Sequence, residues 1–139
     1  MKTVIVYRSI LGASRQYAEW LHEEIESDLF KFNRINRRTL GNYDLIILCA
    51  GTYASWISLG GYLKRRWKLI NDKKVVLLVV GLAPIDEELS IRAYRRIPNY
   101  IRGNIQYFKL PGRIRSLGED NITRDKLAPV LDYIKGLEA

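Results

Sequence analysis

Two serines flank a Gly-Ala pair in the segment Arg8-Ser9-Ile10-Leu11-Gly12-Ala13-Ser14, which follows an apolar run and precedes a helical pattern. Small residues let a backbone come close to a ligand. The unpaired N–H groups and the dipole at a helix start attract an anion, and the Ser9 and Ser14 hydroxyls add donors. The chemistry this supports is recognition of a phosphate; the competing reading is an ordinary strand-to-helix loop. No Gly-Lys-Ser/Thr closes the segment, and it lacks Gly-x-Gly-x-x-Gly, so neither a triphosphate loop nor a dinucleotide fingerprint is present. A mononucleotide is the better fit.

Two more loops follow apolar runs, residues 50–56 and 81–85. Tyr53 and Trp56 in the first offer aromatic faces for stacking; Trp56 packing on the next helix is the alternative. The single cysteine, Cys49, excludes an intramolecular disulfide and a cysteine cluster, and it reads as a small core residue. The single histidine, His22, lies in a helical pattern beside Glu23 and Glu24 and reads as a surface residue. A conventional Cys/His zinc site is therefore excluded. No side chain is assigned a catalytic acid or base role.

The elements that must position these loops alternate. Thr3–Tyr7 is a buried strand; Tyr17, Ala18, Leu21 and Ile25 recur at helical spacing after Ser14, a candidate cap. Leu29–Ile35 alternates polar and apolar residues and belongs at a sheet edge. Arg37–Asn42 is a linking loop, and Tyr43–Ala50 a central strand. A helix is expected over Leu59–Leu69, a central strand over Lys73–Val80, a helix from near Ile85, a strand over Ile105–Leu110 and a helix over Thr123–Leu137, with Pro129 at odds with the last. Strands alternating with helices imply one α/β domain over residues 1–139, its sheet covered on both faces. Five parallel strands in the order 2-1-3-4-5 are expected. Ligands in such sheets bind beyond the carboxyl ends of the strands, where the order reverses.

The stretch from Ile5 to Leu21 resembles the flavodoxin signature, with Tyr7, Ser9, Gly12, Ser14, Ala18 and Leu21 in the matching places. Leu11 stands where many flavodoxins place a second phosphate-binding Thr, and Ser14 replaces the usual Thr. Tyr43–Ala54 is similar to the third strand and flavin loop of the family, in the form found in the branch of menaquinone-dependent protoporphyrinogen oxidase. Lys73–Gly81 resembles the fourth strand. The resemblance implies a flavodoxin-like three-layer sandwich that binds FMN. The phosphate would rest on Ser9, Ile10, Leu11, Gly12, Ala13 and Ser14. The isoalloxazine ring would meet Thr52, Tyr53, Ala54, Ser55, Trp56, Gly81, Leu82 and Ala83. An FMN-dependent oxidoreductase acting with a quinone or porphyrinogen is implied first. A one-electron carrier and a binding module without flavin are the alternatives.

The net charge of +8 points to an acidic partner, and residues 89–118 carry seven basic residues and no acid: Arg92, Arg95, Arg96, Arg102, Lys109, Arg113 and Arg115. Solvated arginines are the bland reading. The functional one is a docking face for a redox partner protein or for an anionic membrane holding a quinone, nucleic acid being disfavoured without a recognition motif. Positive charge near the ring, including Arg8 and Arg15, would favour the anionic reduced flavin, subject to screening over about 10 Å at 0.1 M salt. The apolar runs 75–83 and 45–51 are too short to cross a bilayer. Arg8 interrupts the N-terminal run, which reads as a strand and not a leader. Cytoplasmic location, with peripheral membrane contact, is the expectation.

Overall fold

The structure is a computed structural model of the chain. It describes residues 1–9, 12–53, 55–82, 87–112 and 122–138, Tyr53 by its backbone alone. The elements run β1 (Thr3–Arg8), α1 (Ala13–Glu24), β2 (Asp28–Lys31), α2 (Arg37–Leu40), β3 (Leu45–Tyr53), β4 (Trp56–Ile57), α3 (Gly60–Ile70), β5 (Lys74–Gly81), α4 (Glu88–Arg95), α5 (Asn99–Arg102), β6 (Gln106–Pro111), a 3-10 turn (Arg124–Leu127) and α6 (Ala128–Glu138).

Five strands pair in parallel in the order β2-β1-β3-β5-β6, the order read from the sequence. The reason is visible residue by residue. Strand side chains alternate between faces, and in β1, β3 and β5 both faces are apolar. Val4, Val6, Ile46, Leu48, Ala50, Val75, Leu77 and Val79 form one core with residues of α2, α3, α4 and α5. Ile5, Leu45, Ile47, Cys49, Val76, Leu78 and Val80 form the other with α1 and α6. Such two-sided burial is what a central parallel strand requires. β2 is partly exposed and takes the edge.

Four expectations are corrected. The edge strand ends at Lys31, not Ile35, because the chain turns there: the Arg34 amide donates to the Lys31 carbonyl, and Ile35 packs inward beside Leu40. The link at 37–42 contains α2, whose N-cap Asn36 Oδ1 accepts from the Thr39 amide at 2.8 Å. The loop at 50–56 is largely a hairpin: β3 runs on to Tyr53, and β4 turns back antiparallel, pairing Trp56 with Tyr53 and Ile57 with Thr52. The sheet thus gains a short sixth strand. The last helix starts as a 3-10 turn, and Pro129 falls in the first turn of α6, where no intrahelical amide donor is needed. α4 begins at Glu88, while Ile85 lies outside the described residues.

Candidate functional site

β1 delivers the first loop. Gly12 is the N-cap of α1 with φ +90°, a left-handed conformation that a side chain would strain. Among the described residues beyond its chain neighbours, nothing lies within 4 Å of where a Gly12 Cβ would stand. Among the described residues no side chain caps α1, and no acid occupies its first turn. The amides of that turn thus have no intrahelical partner. Gly12 N–H donates to Ser9 Oγ at 3.0 Å, and a hydroxyl that accepts still has its own hydrogen to give. Ser14 is buried, and its Oγ donates to the Arg8 carbonyl at 3.4 Å, long for a hydroxyl donor. The Ser14 hydroxyl is thus turned to the Arg8 carbonyl, while the Ser9 hydroxyl accepts and keeps its own hydrogen. Ile10 and Leu11 lie outside the described residues. Arg15, exposed, is paired with Glu19 at 2.8 Å.

β3 and β4 deliver the second loop, and one serine that sequence reasoning passed over holds it. Ser58 is buried; its Oγ accepts from the Gly51 amide at 2.9 Å and donates to the Arg8 carbonyl at 3.1 Å. The Ser58 amide donates back to the Gly51 carbonyl at 2.9 Å. Arg8 Nη1 donates to the Ser58 carbonyl at 3.0 Å. The same guanidinium lies 4.8 Å from the Phe32 ring centre and 5.5 Å from that of Trp56, within cation–π range. Hairpin and phosphate-type loop are thus fastened to each other. The one hint in the sequence was a serine set between the apolar Ile57 and Leu59.

The third loop leaves β5 at Gly81. A Cβ there would stand 1.9 Å from Thr52 Oγ1 and 3.4 Å from Lys109 Cε. Glycine is therefore required for β3 and β5 to close up at their carboxyl ends. Gly112 abuts the same place: its amide donates to the Gly81 carbonyl at 2.9 Å, and its own Cβ would come within 3.2 Å of Gly81. Leu82 and Trp56 are exposed. Ala54 and Ala83 fall outside the described residues, and nothing is described of the Tyr53 side chain.

The basic stretch divides. Arg92, Arg95 and Arg96 are exposed on α4 and at its end. Arg96 Nη2 donates to Ser55 Oγ at 3.2 Å, which sets it against the hairpin. Arg102 folds back on the Ile97 carbonyl and lies 5.8 Å from the centre of the Tyr94 ring, itself stacked on Tyr107. Lys109 turns inward and donates to buried Ser90 Oγ at 2.9 Å. Arg113 and Arg115 lie outside the described residues. Cys49 is fully buried, and burial pushes its thiol up to about 12, so it is held as an unreactive thiol. His22 is exposed, with Nδ1 3.0 Å from Ser27 Oγ. No metal-binding group of His, Cys, Asp and Glu occurs among the described residues. No described helix is long and apolar enough to cross a membrane.

A doubly wound parallel sheet with an uncapped, glycine-started helix after its first strand and glycine-lined loops at the same end defines a mononucleotide-binding type of α/β domain. Residues 4–116 match the flavodoxin domain family, and the chain belongs to that family. No curated protein matches the chain significantly. Among solved structures, oxidised flavodoxin 2 from Bacillus cereus is 18% identical with a TM-score of 0.62, over 94% of this chain and 94% of that one. A flavodoxin from Streptococcus pneumoniae is 11% identical with a TM-score of 0.60, over 97% of this chain and 96% of that one. A flavoprotein from Lactobacillus acidophilus, solved in complex with FMN, is 14% identical with a TM-score of 0.50, over 80% and 92%. These likenesses bear on the fold.

Proposed function

We propose that the chain binds FMN and acts as an FMN-dependent oxidoreductase. The observation that carries this is the start of α1: Gly12 at positive φ and, among the described residues, no atom near where its Cβ would be and a first turn with neither a capping side chain nor an acid. A phosphate fits such a place through helix amides and dipole, with Ser9 as the side-chain donor. The phosphate would rest on residues 9–14. The ring would lie against the hairpin at Thr52, Tyr53, Ala54, Ser55 and Trp56 and the loop at Gly81, Leu82 and Ala83. FMN supplies the electron chemistry when bound; the protein's part is to hold and tune it.

The substrate reading rests on the resemblance of Tyr43–Ala54 to the branch of menaquinone-dependent protoporphyrinogen oxidase, which favours a quinone or a porphyrinogen. The charge of +8 supports docking on something acidic, either a redox protein or an anionic membrane carrying a quinone. Exposed Arg95 and Arg96 are the residues best placed for it, Arg96 touching the hairpin at Ser55. A one-electron carrier has the same fold and the same cofactor, and turnover distinguishes the two. Purified chain loaded with FMN should oxidise a porphyrinogen with a quinone as acceptor. Reduction and reoxidation without catalytic turnover on either substrate class would leave the carrier.

A further inference from the structure

We propose that the helical layer of α2, α3, α4 and α5 is a docking face for an anionic phospholipid bilayer, with α2 and α3 supplying cations beyond those of α4. The inference rests on the docking reading above and deepens it: it commits to the membrane and names the whole face that meets it.

The sheet separates charge by sign. The chain carries no acid between Asp28 and Asp44, and none between Asp44 and Asp72. The first interval holds Lys31, Arg34, Arg37 and Arg38, the second Lys64, Arg65, Arg66 and Lys68. All are exposed except Arg66, whose guanidinium lies 4.0 Å from the centre of the Tyr62 ring. Among the described residues none of the eight is in an ion pair.

These cations share one side because their elements do. Leu40 of α2 and Leu63, Trp67 and Ile70 of α3 pack into the core that also receives Ala93 of α4 and Ile101 of α5. In α3 the buried residues recur at helical spacing, which leaves Lys64, Arg65 and Lys68 on the outer face. α2 and α3 touch: a Cβ on Gly41, the C-cap of α2, would stand 3.1 Å from Leu69 Cδ1. Exposed Arg92, Arg95 and Arg96 continue the layer, whose acids are Glu87 and Glu88 at the start of α4. The opposite layer, α1 and α6, is different. Arg15 there faces Glu19, Glu23, Glu24 and Glu26, and residues 124–138 carry three basic residues and three acids. Arg15 pairs with Glu19, and Arg124 with both Glu23 and Glu24. The excess positive charge of the helices thus stands on one layer.

Apolar exposure follows the same division. Among the described helices the large exposed hydrophobic residues are Leu69 of α3, Leu89 and Ile91 of α4 and Tyr100 of α5. Single exposed apolar residues are ordinary; here all of them share the layer that carries the cations. A bilayer surface uses both kinds. Lys and Arg keep their heads at lipid phosphates while their stems lie along apolar surface, and Leu, Ile and Tyr enter the boundary between headgroups and acyl chains. The phosphate backbone of a nucleic acid would use the cations alone.

The test mixes the full chain at low salt with vesicles of phosphatidylglycerol and phosphatidylcholine, or of phosphatidylcholine alone. Partition should require the anionic lipid. Lys64→Glu with Lys68→Glu, and Lys126→Glu with Lys135→Glu on the opposite layer, lower the net charge equally. Each basic residue near such a surface contributes about fivefold to partition, so the α3 variant should lose at least about fiftyfold and the other should stay within about threefold. Equal losses overturn the assignment, because net charge and not a face would then govern binding. A second measurement needs no charge reversal. Leu69→Cys carrying an environment-sensitive fluorophore should shift to the blue on anionic vesicles, and Asp132→Cys so labelled should not, Cys49 being fully buried. A Leu69 probe that does not shift overturns the assignment. So does binding to a duplex oligonucleotide without binding to vesicles, which favours nucleic acid. If the chain ignores anionic vesicles, the membrane part of the docking reading falls as well. Flotation that depends on Arg95 and Arg96 but not on Lys64 and Lys68 leaves that reading standing and removes this assignment alone.

Discussion

Arg8 and Ser58 are joined twice, by Arg8 Nη1 donating to the Ser58 carbonyl at 3.0 Å and by Ser58 Oγ donating to the Arg8 carbonyl at 3.1 Å. This couples the end of β1, from which the phosphate-type loop departs, to the base of the β3–β4 hairpin. Neither residue needs to touch a ligand to matter. Together they fix the distance between the two loops assigned to the flavin in the proposed site.

Ser58→Ala breaks one half of that joint and leaves the half-buried Gly51 amide without its hydroxyl acceptor. An unsatisfied donor costs about 1–3 kcal/mol when fully buried, and a half-buried one costs the lower end of that range, about 1 kcal/mol. The variant is expected to unfold at lower denaturant by that amount and to bind FMN more weakly. Chemical denaturation monitored by Trp fluorescence checks the first and flavin titration the second. Unchanged stability would mean the joint contributes nothing.

Gly81→Ala forces a Cβ to 1.9 Å from Thr52 Oγ1. The hairpin or the β5 end must shift, and overpacking of this kind costs about 1–3 kcal/mol. FMN affinity should fall with stability. Thr52→Ala made together with Gly81→Ala removes the clash and should recover most of the stability. If the double variant is as unstable as Gly81→Ala alone, Thr52 is not the obstacle.

Much of this was legible in the sequence, and the misses have physical causes. The strand order followed from apolar runs buried on both faces, and the first loop from its small residues before a helical pattern. The hairpin was read as loop because β4 is two residues long, and periodicity needs more residues than that. Lys109 was read as a surface charge because its type says exposed. What makes it inward-facing is α4, which offers Ser90 Oγ over that strand end, and no local pattern encodes that contact. Ser58 looked like a polar interruption; the two backbone partners of its hydroxyl, the Arg8 carbonyl and the Gly51 amide, come from β1 and β3. Short α2 was missed because Arg37–Leu40 has one buried residue, Leu40, to show a helical stripe.

Stability should fall at alkaline pH. Burial pushes the Cys49 thiol up to about 12 from 9.0. Burial, together with the Asp28 carboxylate that accepts from its hydroxyl, pushes Tyr43 up to about 12 from 10.0. Burial does the same to Tyr107. In each case the folded state keeps its proton where the unfolded state loses it, so the unfolded state binds fewer protons and stability declines as pH rises. The contribution is full below about pH 9 and is lost between about 9 and 12. Thermal melts across that range should show a steady fall in Tm. Cys49→Ala should flatten its start, and a Tm constant to pH 11 would contradict the assignment.

The exposed arginines carry the docking part of the account. FMN-loaded chain should float with phosphatidylglycerol vesicles at low salt, and not with phosphatidylcholine vesicles or at high salt. Arg95→Glu with Arg96→Glu should abolish flotation and leave FMN affinity within about twofold, since exposed charges change local binding little. Flotation indifferent to salt, lipid charge and these substitutions would remove the docking face.

The central claim is that the open start of α1 holds the phosphate of FMN, and comparison of FMN with riboflavin tests it most directly. The two share the ring system and differ in the phosphate. Titrated into the flavin-free chain, with quenching of flavin fluorescence as the readout, FMN should bind at one site and more tightly than riboflavin by at least about tenfold, because hydrogen bonds to a charged group contribute about 1.5–3 kcal/mol each. Ser9→Ala should narrow the gap and Gly12→Val close most of it. Equal affinity for the two flavins, or no uptake of FMN, would contradict the account.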